Sequence, residues 1–300
     1  MSVFDRIQAL VKHKSAAKNP KRKRVNIGKR FEFLREAISG TMSKFYMARD
    51  FETNEIVGLK IGDREKVAFF ESRFRGLNKP AEGEIATSLQ NEAIVITREH
   101  GMTTTGVPFL VMDFLEGNGL HVLLNNRDSV IEGKRVSMLQ QMAQALSAVH
   151  KANFIHRDIC PRNYICGPGC ESVKLIDFGL TLPATREFMQ PGNRTGTPIY
   201  MAPEVVRRRW TDHRLDIFSF GVTAFQLCTF ELPWPSEDKS GMAALAHDTR
   251  PPDDIMDVRP ELNPVLGKAI MKCIESNPDH RPQTMDQFLG EISQVKTEFS

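Results

Sequence analysis

The chain has no long apolar run. Nothing in its 300 residues approaches the length needed to cross a bilayer, and no signal peptide opens it, so a membrane-spanning or secreted protein is not expected. Cysteine is sparse and odd in number, five, with no CxxC pair. That argues against a disulfide framework and a zinc site, and for a reducing compartment, read as the cytoplasm. Internal repeats and long low-complexity segments are also missing, which excludes solenoids and largely disordered chains. What is present is ordinary in bulk, 41% apolar and 26% charged, and enough for one large domain or two lobes.

Charge is unevenly spread. Residues 1–30 hold ten Lys/Arg and one acid, Asp5. With +3 for the whole chain and +9 in that stretch, the other 270 residues sum to −6. Within it Val3, Phe4, Ile7, Leu10 and Val11 share one helical face, and "KHKSAAKNPKRKR" reads as a charged linker. The plain expectation for residues 1–30 is an amphipathic helix with a solvated basic leader. The sharper one is weak association with an anionic surface, each Lys/Arg contributing about 1 kcal/mol. No nucleic-acid partner is expected, because only charge speaks for one.

From residue 31 to 116 the chain is strand-rich. "FYMARD", "IVGLKI" and "FLVMDF" are short apolar or alternating runs bounded by turn residues, and "KPAEGEIATSLQNEA" between them is helix-like. From 117 to 300 helices dominate. Val136, Leu139, Met142, Ala143, Leu146 and Val149 form one stripe, with Asn153 as a plausible C-cap. "LDIFSFGVTAFQLCTF" is apolar nearly all round, and "NPVLGKAIMKCI" and "MDQFLGEISQV" are amphipathic. The fold class is α+β in two lobes, small and β-rich, then larger and helical, with a cleft between them suited to a ligand.

Four polar residues stand out. In "HRDICPRN" Asp158 is followed five residues later by Asn163, "LIDFGLT" places Asp177 at the end of an apolar strand, and "VGLK" places Lys60 at the end of another. Phosphoryl transfer needs such parts: a base for the attacking hydroxyl, oxygen ligands for Mg²⁺ and a cation on the phosphates. The order and spacing resemble a protein kinase. His156-Arg157-Asp158 with Asn163 matches H-R-D-x-x-x-x-N, Asp177-Phe178-Gly179 matches D-F-G, and Ala202-Pro203-Glu204 matches A-P-E. The resemblance runs from about residue 31 to 295, and its style is that of the eukaryotic-like serine/threonine kinases, including the bacterial ones.

The resemblance implies a bilobal protein-kinase fold, ATP and Mg²⁺, and transfer of the γ-phosphate to Ser/Thr hydroxyls of protein substrates. Asp158 would be the base, Asn163 and Asp177 the metal ligands, and Lys60 the phosphate cation. Glu71, Glu82 and Glu84 compete as the helix partner of Lys60, and spacing to "QNEA" favours Glu82. Gly58, Met112 and the backbones of Asp113 and Leu115 would meet the adenine, with Ile165 completing the nucleotide contacts. Asp216 would brace the catalytic loop and Arg281 would pair with Glu204. Thr197 would hold Asp158, as in serine/threonine enzymes. Arg157 would receive an activation-loop phosphate, for which Thr195 is chosen over Thr181 and Thr185, so autophosphorylation is an expectation.

Several positions depart from that pattern. "ISGTMSKF" puts Ile38, Gly40 and Ser43 where the phosphate loop has glycines, so only Gly40 survives. Phe45 replaces the usual Val and Gly58 the usual Ala, either as a volume-preserving swap or with Phe45 plugging the nucleotide pocket. Gly119 lies where relatives carry a polar residue for the ribose. Cys160 replaces a lysine, a loss that Arg162 can restore with its guanidinium. Arg157 and Arg162 beside Cys160 suggest a stabilised, redox-sensitive thiolate. The competing readings are a pseudokinase serving as a binding or scaffold module, motivated by these departures, and a small-molecule phosphotransferase of related fold.

Overall fold

The computed structural model describes residues 24–35, 38–40, 42–235 and 243–299. Most of the basic leader, and with it the amphipathic stripe and the surface-association reading, lies outside those residues. Its last part belongs to the small lobe instead of standing apart. Val25 bridges Thr103, and the short helix α1 (Ile27–Arg30) starts at Asn26, whose Oδ1 accepts from the Lys29 N–H. Arg30, at its end, donates to Asp50 and Glu99, each at 2.8 Å. It is a bound cation inside the lobe.

The small lobe is an antiparallel sheet of β1 (Phe31–Phe33), β2 (Ile38–Ser39), β3 (Ser43–Asp50), β4 (Ile56–Gly62), β5 (Thr97–Met102) and β6 (Pro108–Asp113). The strand order is β1-β3-β4-β6-β5, with β2 also on β3. Alternation explains the faces. Ala48, Val57, Leu59, Phe109 and Val111 turn to one side and pack with Phe31 into a small core. The intervening residues Phe45, Gly58 and Lys60 turn to the other side, toward the cleft. Two helices interrupt the sheet. Helix α2 (Arg64–Ser72) is capped by Asp63, whose carboxylate accepts from the N–H groups of Glu65 and Lys66. Helix α3 (Glu82–Ser88) falls inside the stretch read as helix-like.

The large lobe begins with β7 (Asn118–Gly119) and contains α4 (Leu120–Asn125), α5 (Arg135–Lys151), β8 (Phe154–Ile155), β9 (Tyr164–Cys166), β10 (Val173–Leu175), β11 (Leu182–Pro183), α6 (Pro203–Val206), α7 (Arg214–Thr229), α8 (Ile255–Val258), α9 (Pro264–Cys273) and α10 (Met285–Glu291). All six residues of the expected α5 stripe are buried. The helix stops at Lys151, with Ala152 as its C-cap. Asn153 comes one residue later, in left-handed geometry at φ 61°, where the short polar side chain is tolerated. Helix α7 is buried on almost every side. One continuous core runs from Ile85, Leu110 and Met112 of the small lobe through α5, α7, α9 and α10. Strands β7, β9 and β10 form a small sheet at the floor of the cleft. At its edge Gly117, at φ 133°, is pressed so close to Cys166 that a Cβ would stand 1.9 Å from the Cys166 carbonyl oxygen, so only glycine fits. Among the described residues no helix is long and apolar enough to cross a membrane.

Candidate active site

Strand β4 delivers Lys60 into the cleft almost wholly buried, at 2% exposure. Its ammonium donates to Asp177 Oδ1 at 2.7 Å and to Glu82 Oε1. Burial works against the charge, but Asp177 and Glu82 outweigh it and raise the lysine pKa. Burial likewise opposes ionisation of Asp177, and Lys60 overcomes it and lowers the carboxyl. Of the three acids weighed for Lys60, only Glu82 at the start of α3 reaches it. Glu71 pairs with Lys79 at 2.8 Å, and Glu84 accepts from the Ala81 N–H. Asp177 stands at φ 66°, an uncommon conformation for a non-glycine residue, and the Gly179 N–H donates to its Oδ1 at 3.0 Å.

The catalytic loop leaves β8 and is held from below. Asp216, fully buried on α7, accepts the N–H of His156 at 2.7 Å and of Arg157 at 2.8 Å. Burial would protonate Asp216, but His150 at 2.9 Å and the backbone donors keep its pKa low. With Arg157 at φ 71°, the chain turns and presents Asp158. Its Oδ1 accepts from the Thr197 N–H at 2.9 Å and hydroxyl at 2.8 Å. Asn163 Nδ2 donates to the Asp158 carbonyl at 2.6 Å and to its Oδ2 at 3.1 Å. That spends the Asn163 amide nitrogen and leaves its Oδ1 available, while Asp177 uses only one carboxylate oxygen for Lys60 and Gly179. Two hard oxygen donors facing one cleft fit Mg²⁺.

The roof differs from the expected swap. Gly58 lies opposite Met112, and a Cβ on Gly58 would meet Met112 Cγ at 2.9 Å and the Asp113 carbonyl oxygen at 3.2 Å. The space of the missing methyl is therefore taken by Met112 and not by Phe45. Phe45 sits opposite Lys60, its ring centroid 5.2 Å from the ammonium. It does not line the small cavity, of about 10 Å³, enclosed by Met42, Ser43, Lys60, Asp158, Asp177, Gly179 and Leu180. Ile38 pairs through its backbone with Phe45, and its side chain is outside the described set. The Gly40 N–H closes the turn on the Ser43 carbonyl at 2.8 Å. Ser43 Oγ is buried with no partner among the described residues, so a hydroxyl stands ready for a phosphate oxygen where a third glycine was missed. Met42 was not anticipated. It reaches Gly179, where a Cβ would lie 3.2 Å from Met42 Cε, and nothing in a turn methionine signals such a contact.

At the floor, Ile165 on β9 lies opposite Gly119, and Leu115 packs on the large core. The Asp113 N–H donates to Ile96, and its carboxylate accepts from Arg98 at 2.6 Å. Cys160 is buried, its Sγ 3.7 Å from Thr197 Oγ1. Burial, with Asp158 adding to it, pushes the thiol up to about 12. Burial works against the expected thiolate: desolvation dominates, and hydrogen bonds from Thr197 and the backbone of Arg162 and Asn163 only partly oppose it. Arg162 is exposed beside His121 and Tyr200 and makes no hydrogen bond or ion pair with Asp158 or Asp177. Arg157 is buried, which lowers its pKa to about 10. Its Nη2 donates to the Asn193 carbonyl at 2.8 Å, and Thr195 donates to Asn193 Oδ1 at 3.2 Å. Further along, Arg281 holds Glu204 by two bonds of 2.8 and 2.9 Å.

Residues 31–291 match the protein kinase domain. The chain belongs to that family. Among curated relatives, the serine/threonine-protein kinase pkn3 of Myxococcus xanthus is 30% identical over 275 residues, covering 86% of this chain and 48% of that protein. The serine/threonine-protein kinase PknB of Mycolicibacterium smegmatis is 29% identical over 271 residues, 85% of this chain and 41% of that one. The serine/threonine-protein kinase Pkn1 of Myxococcus xanthus is 30% identical over 267 residues, with 86% and 37% covered. This kinase domain therefore resembles bacterial serine/threonine kinases, and the chain spans less than half the length of each.

Proposed function

We propose that the chain is a serine/threonine protein kinase that transfers the γ-phosphate of ATP to hydroxyls of protein substrates. The observation that carries the reading is the convergence of Lys60, Asp158, Asn163 and Asp177, distant in sequence, on one cleft between the lobes. Asp158 acts as the base. Thr197 orients one of its oxygens, and Oδ2 takes the proton of the incoming hydroxyl. Lys60, kept charged by its two carboxylates, and the Ser43 hydroxyl bind phosphate oxygens. Asn163 and Asp177 would hold Mg²⁺, which would supply charge neutralisation on the phosphates. Phe45, Gly58, Met112, Leu115 and Ile165, with the backbone of Asp113, bound the adenine space.

Thr195 is the proposed autophosphorylation site. A phosphate there would give the buried Arg157 guanidinium, bonded among the described residues to the Asn193 carbonyl, a true counter-ion. The free, buried cysteines support a reducing compartment such as the cytoplasm. The part of residues 1–30 ahead of the small lobe is proposed to associate weakly with an anionic surface.

The test is self-labelling with Mg²⁺ and ATP. Wild type is expected to incorporate phosphate, whereas Asp158→Asn loses it by a factor of at least about a hundred and keeps its thermal stabilisation by nucleotide. Equal labelling by the variant would refute the assignment.

A further inference from the structure

Two populations of arginine occupy the large lobe. Arg127, Arg135, Arg207, Arg214, Arg259 and Arg281 each meet a carboxylate. Arg162, Arg186, Arg208, Arg209 and Arg250 are exposed and meet none among the described residues. Four of the five fall on two stretches, the loop after Asp158 and residues 186–209. Arg162 lies on the catalytic loop, four residues after Asp158, beside His121 and Tyr200. Arg186, Arg208 and Arg209 lie on or just beyond the segment that runs from Gly179 to helix α6, whereas Arg250 lies apart, beside Trp234 and Pro251.

That segment is cationic by composition. Residues 180–210 contain five arginines and two glutamates, while the chain beyond residue 30 sums to −6. Glu204 is committed to Arg281, and Glu187 accepts from Thr185. The "RRRW" at 207–210 is held against the segment, because the Thr211 N–H donates to the Met189 carbonyl at 3.3 Å and Arg186 lies 5.9 Å from the Trp210 ring. Arg207 is locked to Asp248 at 2.8 Å, and the charge of Arg209 also reaches Asp248. Among the described residues Arg208 and Arg209 then project without an ion pair, beside a tryptophan that is 46% exposed. A merely solvated face would intersperse both signs. This one gathers single-sign charge around an aromatic on the same segment as Thr197, whose N–H and hydroxyl hold Asp158, an arrangement that attracts an oppositely charged chain.

We propose that this face selects acidic protein substrates. The idea rests on the kinase reading above and names the substrate class for the same site. Arg162 takes a carboxylate close to the phosphoacceptor. Arg186, Arg208 and Arg209 take carboxylates further from it, with Trp210 covering apolar stems between them.

The test uses the full chain and three fluorescent peptides of equal length, each with a central threonine flanked by Asp/Glu, by Ala or by Lys/Arg. Phosphate transfer gives kcat/KM, and fluorescence anisotropy gives binding independently of catalysis. The acidic peptide is expected to be preferred over the basic one by roughly tenfold or more, with the preference fading as salt is raised. Arg208→Glu with Arg209→Glu, and separately Arg162→Glu, should invert or abolish the ratio while thermal unfolding shows the variants folded. Equal use of the three peptides, or an unchanged ratio in both variants, overturns the proposal. So does displacement of the acidic peptide by a DNA oligonucleotide of equal charge, which would mark a face that does not distinguish peptide from nucleic acid. If Arg162→Gln instead lowers kcat on all three peptides alike with the ranking intact, that arginine acts on the transferred phosphate and its part of the proposal fails. Acidic-peptide binding without any transfer would leave this surface standing and sink the kinase reading.

Discussion

At Gly58 a single missing methyl group leaves the room that Met112 fills. The strand places it opposite Met112, whose Cγ already occupies the position a Cβ would need. Gly58→Ala should therefore destabilise the domain by about 1–3 kcal/mol through overpacking, read as a lowered urea midpoint. Trimming the neighbour, as in Gly58→Ala with Met112→Ala, should recover part of that loss and give non-additive changes. Additive losses in the double variant would mean that the two side chains do not share one space. Phe45, on the neighbouring strand, packs on the large core with its ring 5.2 Å from the Lys60 ammonium. Cys160 shows the same lesson electrostatically. Two arginines nearby in sequence are no help to a thiolate when the sulfur itself is buried.

Among elements, the pair of Glu204 and Arg281 ties helix α6, at the end of the substrate-side segment, to the stretch that precedes α10. Both side chains are buried, at 5% and 2% exposure, and Arg281 also donates to the carbonyls of Glu275, Ser276 and Arg214. Arg281→Met leaves a buried carboxylate without its cation and should cost about 3–5 kcal/mol in equilibrium unfolding. Glu204→Leu together with Arg281→Met should restore a good part of this, since the uncompensated charge is gone. A loss under about 1 kcal/mol in the single variant would show the pair to be ornamental. Elements also show where pattern reading failed. Helix α2 was not anticipated because it buries only Phe70 and leaves Phe69 66% exposed. A helix with one buried side chain carries little periodicity. Its real signal was local, Asp63 ahead of acid and base as a capping residue.

For the whole molecule, acid should loosen the fold before carboxylates matter. Burial lowers the pKa of His121, His156 and His247. Arg162 adds to this at His121, while nearby acids only partly oppose it at His156. In the unfolded chain each would titrate near 6.5. Below that value the unfolded state binds more protons than the folded one, so stability is complete above about pH 6.5 and falls as the pH drops toward the folded values. Thermal midpoints measured at constant ionic strength should decline between about pH 7.5 and 5.5. A flat or rising profile would contradict it. Carboxylates held low, such as Asp50, Asp212 and Asp216, pull in the same direction only at lower pH, below their ordinary range.

Sequence alone determined the family, the two-lobed α+β plan and the chemistry-bearing residues. Asp158, Asn163, Asp177 and the A-P-E run each sit at the spacing of the family's motifs, and strand alternation marks which residues of β4 face the cleft. Tertiary structure alone decided where Met112 and Met42 lodge and that Cys160 is buried against Thr197. Those outcomes depend on distances between segments remote along the chain and on how far each group is removed from water. Local pattern encodes neither.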